Sequence, residues 1–239
     1  MSSNVPSAPG RKDENTYSSE DIKKRVENSY DSIAPQYLEW TSSSPDSRVD
    51  YLNQLLPHLT SKKSAEVIDL GCGAGAPCTH LLASQPNIHV TGCDISSTQL
   101  ALAAERLPAG KFKLIRSDMM GLEFADSTFD AVVAFYSIIH VPREEQVTLL
   151  KRIGKWLKPG GWFLATFAAV GAEEDIEQQW LGEEKGWMFW SGWDPRDSAE
   201  MIKGAGLELR VNTIAETVEK DVKVPHLWIL AQKPEEEIQ

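Results

Sequence analysis

Apolar and polar positions alternate between two rhythms along this chain. AEVIDLG (65–71) is a short apolar run ended by glycine, and APCTHLLAS (76–84) continues at helical spacing. NIHVTGCDIS (87–96) reads as a strand, and SSTQLALAAERL (96–107) as a helix with Ser or Thr caps and good helix formers. KFKLIRSD (111–118) predicts a third strand; FDAVVAFYS (129–137), β-branched and aromatic, predicts a fourth. In PREEQVTLLKRIGKWL (142–157), Val147, Leu150, Ile153, Trp156 and Leu157 recur at helical spacing behind Pro142. KPGG stops that helix, and WFLATFA (162–168) is a fifth strand. Strands alternating with helices of this length predict βαβ units and a parallel, doubly wound α/β sheet.

The flanks follow other patterns. EDIKKRVENSYDSIAPQYLEW (20–40) predicts a helix that runs into a loop at Ala34-Pro35, because the residue before proline disfavours the α-helical region. A second helix is expected over 44–59, with Pro45 in its first turn. These two form an N-terminal helical cap. PRDSAEMIKGAG (195–206) reads as a helix with a glycine stop. LELRVNTIAETV (207–218) and HLWILAQK (226–233) read as closing strands joined by the polar EKDVKVP. Between strand five and that helix lies an insertion, 171–194. Its segment WLGEEKGWMFWSGW holds four of the eight tryptophans with three glycines and three charges, which suits neither helix nor strand.

Composition narrows the classes. The 239 residues allow one sizeable core. No apolar run reaches the ~20 residues that span a bilayer, so no membrane partner is expected. Residues 1–18 are rich in Ser, Pro and charge and read as a disordered tail; they lack a signal peptide's apolar core, so a cytoplasmic setting is expected. Net charge is −11, with no basic cluster to displace counterions from a nucleic acid. Residues 173–197 concentrate eight acids against Lys185 and Arg196, which reads as a solvated face. The three cysteines, Cys72, Cys78 and Cys93, have no zinc-type spacing and read as reduced packing residues, so no metal is expected.

The first strand runs into Gly71-Cys72-Gly73-Ala74-Gly75, where glycines let backbone approach a ligand and feed a helix N-terminus. Such a turn serves dinucleotides and S-adenosylmethionine (SAM) alike. Asp69 stands just before it and Asp118 ends the third strand, which suits a ligand carrying a sulfonium and an ammonium better than a pyrophosphate. Asp94, at the end of strand two, is placed for ribose hydroxyls in either case.

VIDLGCGAG, GCDIS, RSDMMGLEF, FDAVVAFYSIIHVP and LKRIGKWLKPGGWFLATF, in this order, resemble the motif series of class I SAM-dependent methyltransferases; YDSIAPQY resembles a segment that precedes the core in small-molecule members. The resemblance implies a Rossmann-like seven-stranded sheet with a reversed final strand, in a single domain over 19–234. Within it, 19–60 would be the cap, 65–168 the SAM-binding core, 171–194 a lid or substrate insertion and 195–234 the closing elements. It implies that Gly71, Gly73 and Gly75 line the methionine part of SAM with Asp69 beside its amino group. Asp94 would take the ribose, Ile95 would pack on the adenine, and Asp118 and the Met119 backbone would meet the adenine edge. Phe135, Tyr136 and Ser137 would form the floor, and Tyr30 and Tyr37 would close the site. FYSIIH departs from the signature of enzymes acting on base amines or glutamine amides, which lowers nucleic-acid substrates.

Displacement at a sulfonium already has a good leaving group, so the protein chiefly positions the acceptor. His140, after strand four, is the best candidate catalytic base, with a loop-orienting role as its rival; His226 is a weaker second, and His58, His80 and His89 read as surface or packing residues. Trp40, His140, Trp180, Trp187, Met188 and Trp190 are the candidate acceptor-binding residues, with the insertion's glycines as hinges; a hydrophobic plug is the alternative. The expected activity is methyl transfer to O, N or S of a small, partly apolar metabolite, in a secondary-metabolism setting, by a monomer or homodimer. Alternatives are C-methylation of an aromatic or quinone precursor, a non-catalytic SAM-binding protein, and an NAD(P)-dependent oxidoreductase.

Overall fold

A computed structural model describes residues 17–42, 47–219 and 222–235. The cap comes first. Helix α1 (Ser19–Ser42) is started by a reciprocal cap: Ser18 Oγ accepts from the Asp21 N–H, and the Asp21 carboxylate accepts from the Ser18 N–H and hydroxyl. Two expectations fail here. Tyr17 and Ser18 read in the sequence as part of the tail, yet Ser18 makes this cap and the Tyr17 ring meets Trp187 edge-on, centroids 5.6 Å apart. Nor does the helix end at Pro35. It runs through that residue, because Ile33 and Ala34 are buried and their packing outweighs the hydrogen bond that proline cannot donate. Residues 1–16, and Pro45 of the second expected helix, lie outside the described residues; that helix is α2 (Ser47–Thr60).

The core alternates as its pattern predicts: β1 (Ala65–Leu70), α3 (Cys78–Ala83), β2 (Ile88–Asp94), α4 (Ser97–Arg106), β3 (Phe112–Arg116), β4 (Phe129–Ala134), α5 (Arg143–Trp156) and β5 (Leu157–Ala168), with Leu157 and KPGG already in the fifth strand, where Leu157 pairs with Phe129. Ser96 caps α4 by accepting from the Gln99 N–H at 3.1 Å. All six β4 residues are buried, as expected for a central strand covered on both faces.

The insertion is not a loop. It folds as an antiparallel pair, β6 (Ala172–Glu177) and β7 (Met188–Gly192), with a single 3₁₀ turn at Trp180–Gly182 between them. One strand of this ribbon is mostly acidic (AEEDIE) and the other mostly apolar (MFWSG), so neither shows the period-two alternation of a strand. Then come α6 (Pro195–Gly204), capped by Asp194, β8 (Glu208–Glu219) and β9 (Val222–Gln232). The polar 222–225 is already strand rather than linker, with Pro225 opposite Glu216 in the hairpin.

The main sheet has the order β3-β2-β1-β4-β5-β9-β8. The first five strands are parallel, and β9 runs antiparallel to β5. The order reverses between β1 and β4, which fixes a crevice at their carboxyl ends. One core lies between the sheet and α5 and α6, a second between the sheet and α2, α3 and α4. A third, separate cluster packs Ile22, Val26 and Ile33 of α1 against Trp187, Met188 and Phe189 of the insertion. The cap and the ribbon are thereby joined over the crevice.

Candidate functional site

At the switch point, β1 delivers the glycine turn into a cavity lined by Gly71, Gly73, Asp94, Ile95, Asp118, Met119, Phe135, Tyr136 and Ser137, with Tyr30 and Tyr37 from the cap. Gly71 has φ +77°, and a Cβ there would lie 2.3 Å from the Ser137 Cβ, so only glycine lets the turn lie against the end of β4. Gly73 donates its N–H to Asp94 at 2.8 Å, and the other Asp94 oxygen accepts from the Ser96 N–H at 2.9 Å. The carboxylate therefore stands rigidly at the end of β2. Removal from bulk water lifts its pKa to about 6, against those two hydrogen bonds.

Two sequence expectations sit differently. Asp69 occupies an adjoining recess bounded by Gly71 and Gly73, where it accepts from the Thr79 hydroxyl at 2.7 Å and burial raises its pKa to about 6. Gly75 lies off the cavity lining; it packs on Ala103 and Leu107, where its positive φ closes the turn onto α4.

Several lining residues escaped the sequence reading. Lys23 of α1 pairs with Asp118 at 2.7 Å and with Glu145 of α5 at 3.0 Å. On the same α1 face, spaced four residues apart, Glu27 pairs with Arg116 and Asp31 accepts from the Ser96 hydroxyl and the Thr98 N–H. The cap is thus latched onto the end of β3, the start of α4, and α5. Gln99 is 1% exposed and lines the cavity, yet neither atom of its side-chain amide has a partner among the described residues. A buried amide without partners costs free energy, so it marks a place where a polar ligand group belongs. Its sequence signal was weak, since it reads as one more helix former in α4.

A second cavity, about 540 Å³, lies between the cap, the ribbon and the carboxyl edge. Trp40, Trp180, Trp190 and His140 line it; Tyr30, Tyr37, Tyr136 and His140 belong to both cavities. Tyr136 takes φ +53°, a strained left-handed turn for a bulky residue, and this sets its ring at the boundary between them. Trp187 and Met188 line neither cavity. They are buried in the cluster against α1, so for these two the plug describes their place. Two of the insertion's glycines are close-packed rather than hinge-like: a Cβ on Gly186 would lie 2.3 Å from the Trp180 carbonyl oxygen, and one on Gly192 2.5 Å from the Ala168 Cβ. Gly182, by contrast, has open space around it and serves the turn through its φ of +78°.

His140 is held at both nitrogens. Nδ1 lies 2.7 Å from the Phe189 carbonyl, which can only accept, so Nδ1 carries the proton. Nε2 is then the acceptor, and the Tyr30 hydroxyl donates to it at 2.9 Å. Burial lowers the His140 pKa to about 4, the Phe189 bond opposing only in part, so the ring is neutral near pH 7. It orients the ribbon through Phe189 and faces the second cavity at once. His226 also lines that cavity and burial lowers it to about 4, while His58 stacks on Trp162 at 4.1 Å and His80 and His89 are exposed. The three thiols are free and buried; burial pushes Cys93 up to about 12. Among the described residues no group of three or more His, Cys, Asp or Glu could hold a metal ion, and no helix is long and apolar enough to cross a membrane.

Residues 67–161 match the family model described as a methyltransferase domain. A sterol 24-C-methyltransferase of Gibberella zeae is 37% identical over 161 residues, covering 62% of this chain and 40% of that protein. Phosphoethanolamine N-methyltransferase 2 of Caenorhabditis elegans is 35% identical over 120 residues, covering 49% and 27%. The chain spans less than half the length of the curated relatives it matches. Among solved structures, the 1,6-didemethyltoxoflavin-N1-methyltransferase of Burkholderia thailandensis, with its acceptor and S-adenosylhomocysteine bound, superposes with a TM-score of 0.70 at 15% identity over 93% of each chain. The matched motifs, the sheet order and the glycine turn with its Asp94 anchor agree: residues 67–161 match a methyltransferase domain, and the sheet around them has the Rossmann-like fold of solved SAM-dependent methyltransferases.

Proposed function

We propose that this protein is an enzyme that transfers a methyl group from SAM to an O, N or S atom of a small, partly apolar molecule. The observation that carries this reading is the pair of cavities meeting at Tyr30, Tyr37, Tyr136 and His140. The cavity on the glycine-turn side suits SAM. Asp94 offers a carboxylate to ribose hydroxyls, the Gln99 amide offers the donor and acceptor that its surroundings leave unused, and Ile95 and Met119 offer apolar contact. Bound there, SAM supplies a methyl group on a sulfonium, an already activated leaving group.

The chain's own contribution is to place the acceptor and keep water out. The cap and the ribbon, clamped together by the cluster around Trp187, wall the acceptor cavity, and the aromatic lining suits an apolar body. Where the acceptor must lose a proton, the Tyr30 hydroxyl and the neutral His140 behind it are the groups that face it. The named relatives act at carbon and at nitrogen, so C-methylation stays a second reading for the acceptor atom.

Titration of the purified protein with SAM and with NAD, together with mass spectrometry of any ligand it releases, tests the cofactor. SAM binding is expected; NAD binding in its place would sink the reading. Turnover is tested by S-adenosylhomocysteine formation across a panel of small acceptors.

A further inference from the structure

We propose that the acceptor is an amine, and that the cavity beneath the ribbon is built to hold a nitrogen as it becomes cationic; this rests on the methyltransferase reading above. The first support is the aromatic lining. Trp180 stands at its centre, with the ring centroids of Tyr30, Tyr37, Trp40 and Trp190 between 5.6 and 5.9 Å from its own. All five residues line the cavity. Aromatic faces attract a quaternary or protonated nitrogen and do nothing comparable for an alkoxide or thiolate.

The second support is charge. Asp175 and Glu177 also line the cavity; two residues apart on β6, they share one face of the strand. Among the described residues neither forms an ion pair. They belong to the acidic run over 173–197 that reads in the sequence as a solvated face. The cation in the lining, Arg48, lies 6.0 Å from the Tyr136 ring, and its charge also acts on Asp69 in the recess behind. The two lining histidines are neutral near pH 7, so they add no positive charge.

These features match the charge flow of N-methylation. The nitrogen lone pair forms the N–C bond as the C–S bond breaks. The C–S electron pair stays on sulfur, leaving a neutral thioether, and the positive charge passes to nitrogen. A tertiary amine then keeps that charge; a primary or secondary one can release a proton to water. An oxygen or sulfur acceptor would instead have to shed its proton first and present an anion to Asp175 and Glu177. The base available for that, His140 Nε2, already accepts from Tyr30.

The test uses the full chain loaded with S-adenosylhomocysteine and two probes of one shape, benzyltrimethylammonium and the uncharged neopentylbenzene. Quenching of tryptophan fluorescence reads binding, since Trp40, Trp180 and Trp190 line the cavity. The cation is expected to bind at least tenfold more tightly, and the Asp175→Asn/Glu177→Gln double variant should cut that preference at least threefold at unchanged affinity for SAM. Equal affinity for the two probes, binding of neither, or a preference that survives in the double variant overturns the proposal. So does turnover of benzyl mercaptan in preference to N,N-dimethylbenzylamine. A separate SAM titration keeps the two readings apart: loss of SAM binding takes down the methyltransferase assignment, whereas SAM binding without a cation preference takes down the amine alone.

Discussion

Replacing His140 tests the electrostatics of the site through the pH dependence of stability. In the folded protein burial holds this histidine at about 4, against its ordinary 6.5. A folded pKa below the unfolded one means that the unfolded chain takes up the proton first. The stability His140 allows is therefore full above about pH 6.5 and is lost as pH falls toward 4. At ~1.4 kcal/mol per pH unit, that loss is about 3 kcal/mol. The wild-type curve alone would conceal it. His226, also near 4, acts in the same direction, but Asp69 and Asp94, raised to about 6 by burial, act in the opposite one. Their folded forms hold protons more tightly than the unfolded chain does, so acidification from about 6 toward 4 favours folding through them. The difference between wild type and His140→Gln removes these shared contributions. Urea unfolding at pH 7, 6, 5 and 4 should show the wild type's advantage over the variant shrinking by about 3 kcal/mol across the series. A difference that does not change with pH would refute the buried, neutral state of His140 and the proton assignment that rests on it.

Other substitutions separate binding from folding. Gln99→Leu should leave unfolding free energy unchanged or higher, because two partnerless polar atoms leave the core, while weakening SAM several-fold by calorimetry. Asp94→Ala should weaken SAM more than tenfold, as loss of a charge-assisted hydrogen bond worth ~1.5–3 kcal/mol predicts; unchanged affinity would mean the ribose lies elsewhere. Trp187→Ala should cost roughly 3–5 kcal/mol of stability by emptying the cluster between cap and ribbon, whereas Trp190→Ala should spare SAM binding and impair acceptor turnover, which thermal melts and product assays distinguish.

The core was legible because its signals are local. Apolar runs with glycine ends, the Ser96 cap and the spacing of Val147 to Trp156 each prescribe an element without help from distant residues, and the alternation of those elements leaves few sheet topologies. Asp94 and the glycine turn could be placed for the same reason: both sit where a strand ends, and strand ends converge at the switch point. The ribbon was not legible. Its acids are gathered on β6 and its large apolar side chains on β7, so neither strand shows period-two alternation; what they face, α1 and the cavity, does not exist until the chain folds.

The sequence by itself determined the order of strands and helices in the core and the glycine turn with its strand-end carboxylates, because backbone propensity and spacing act over a few residues. Only the tertiary structure decided what spans many. It carried α1 through Pro35, joined Lys23, Glu27 and Asp31 to the ends of β3 and α4 beside the first cavity, and set Tyr30 on His140 across 110 residues of chain. It also divided the tryptophans, sending Trp187 into the packing beneath the cap and leaving Trp180 and Trp190 on the second cavity. Burial and long-range contact made those choices, and neither is encoded at any single position.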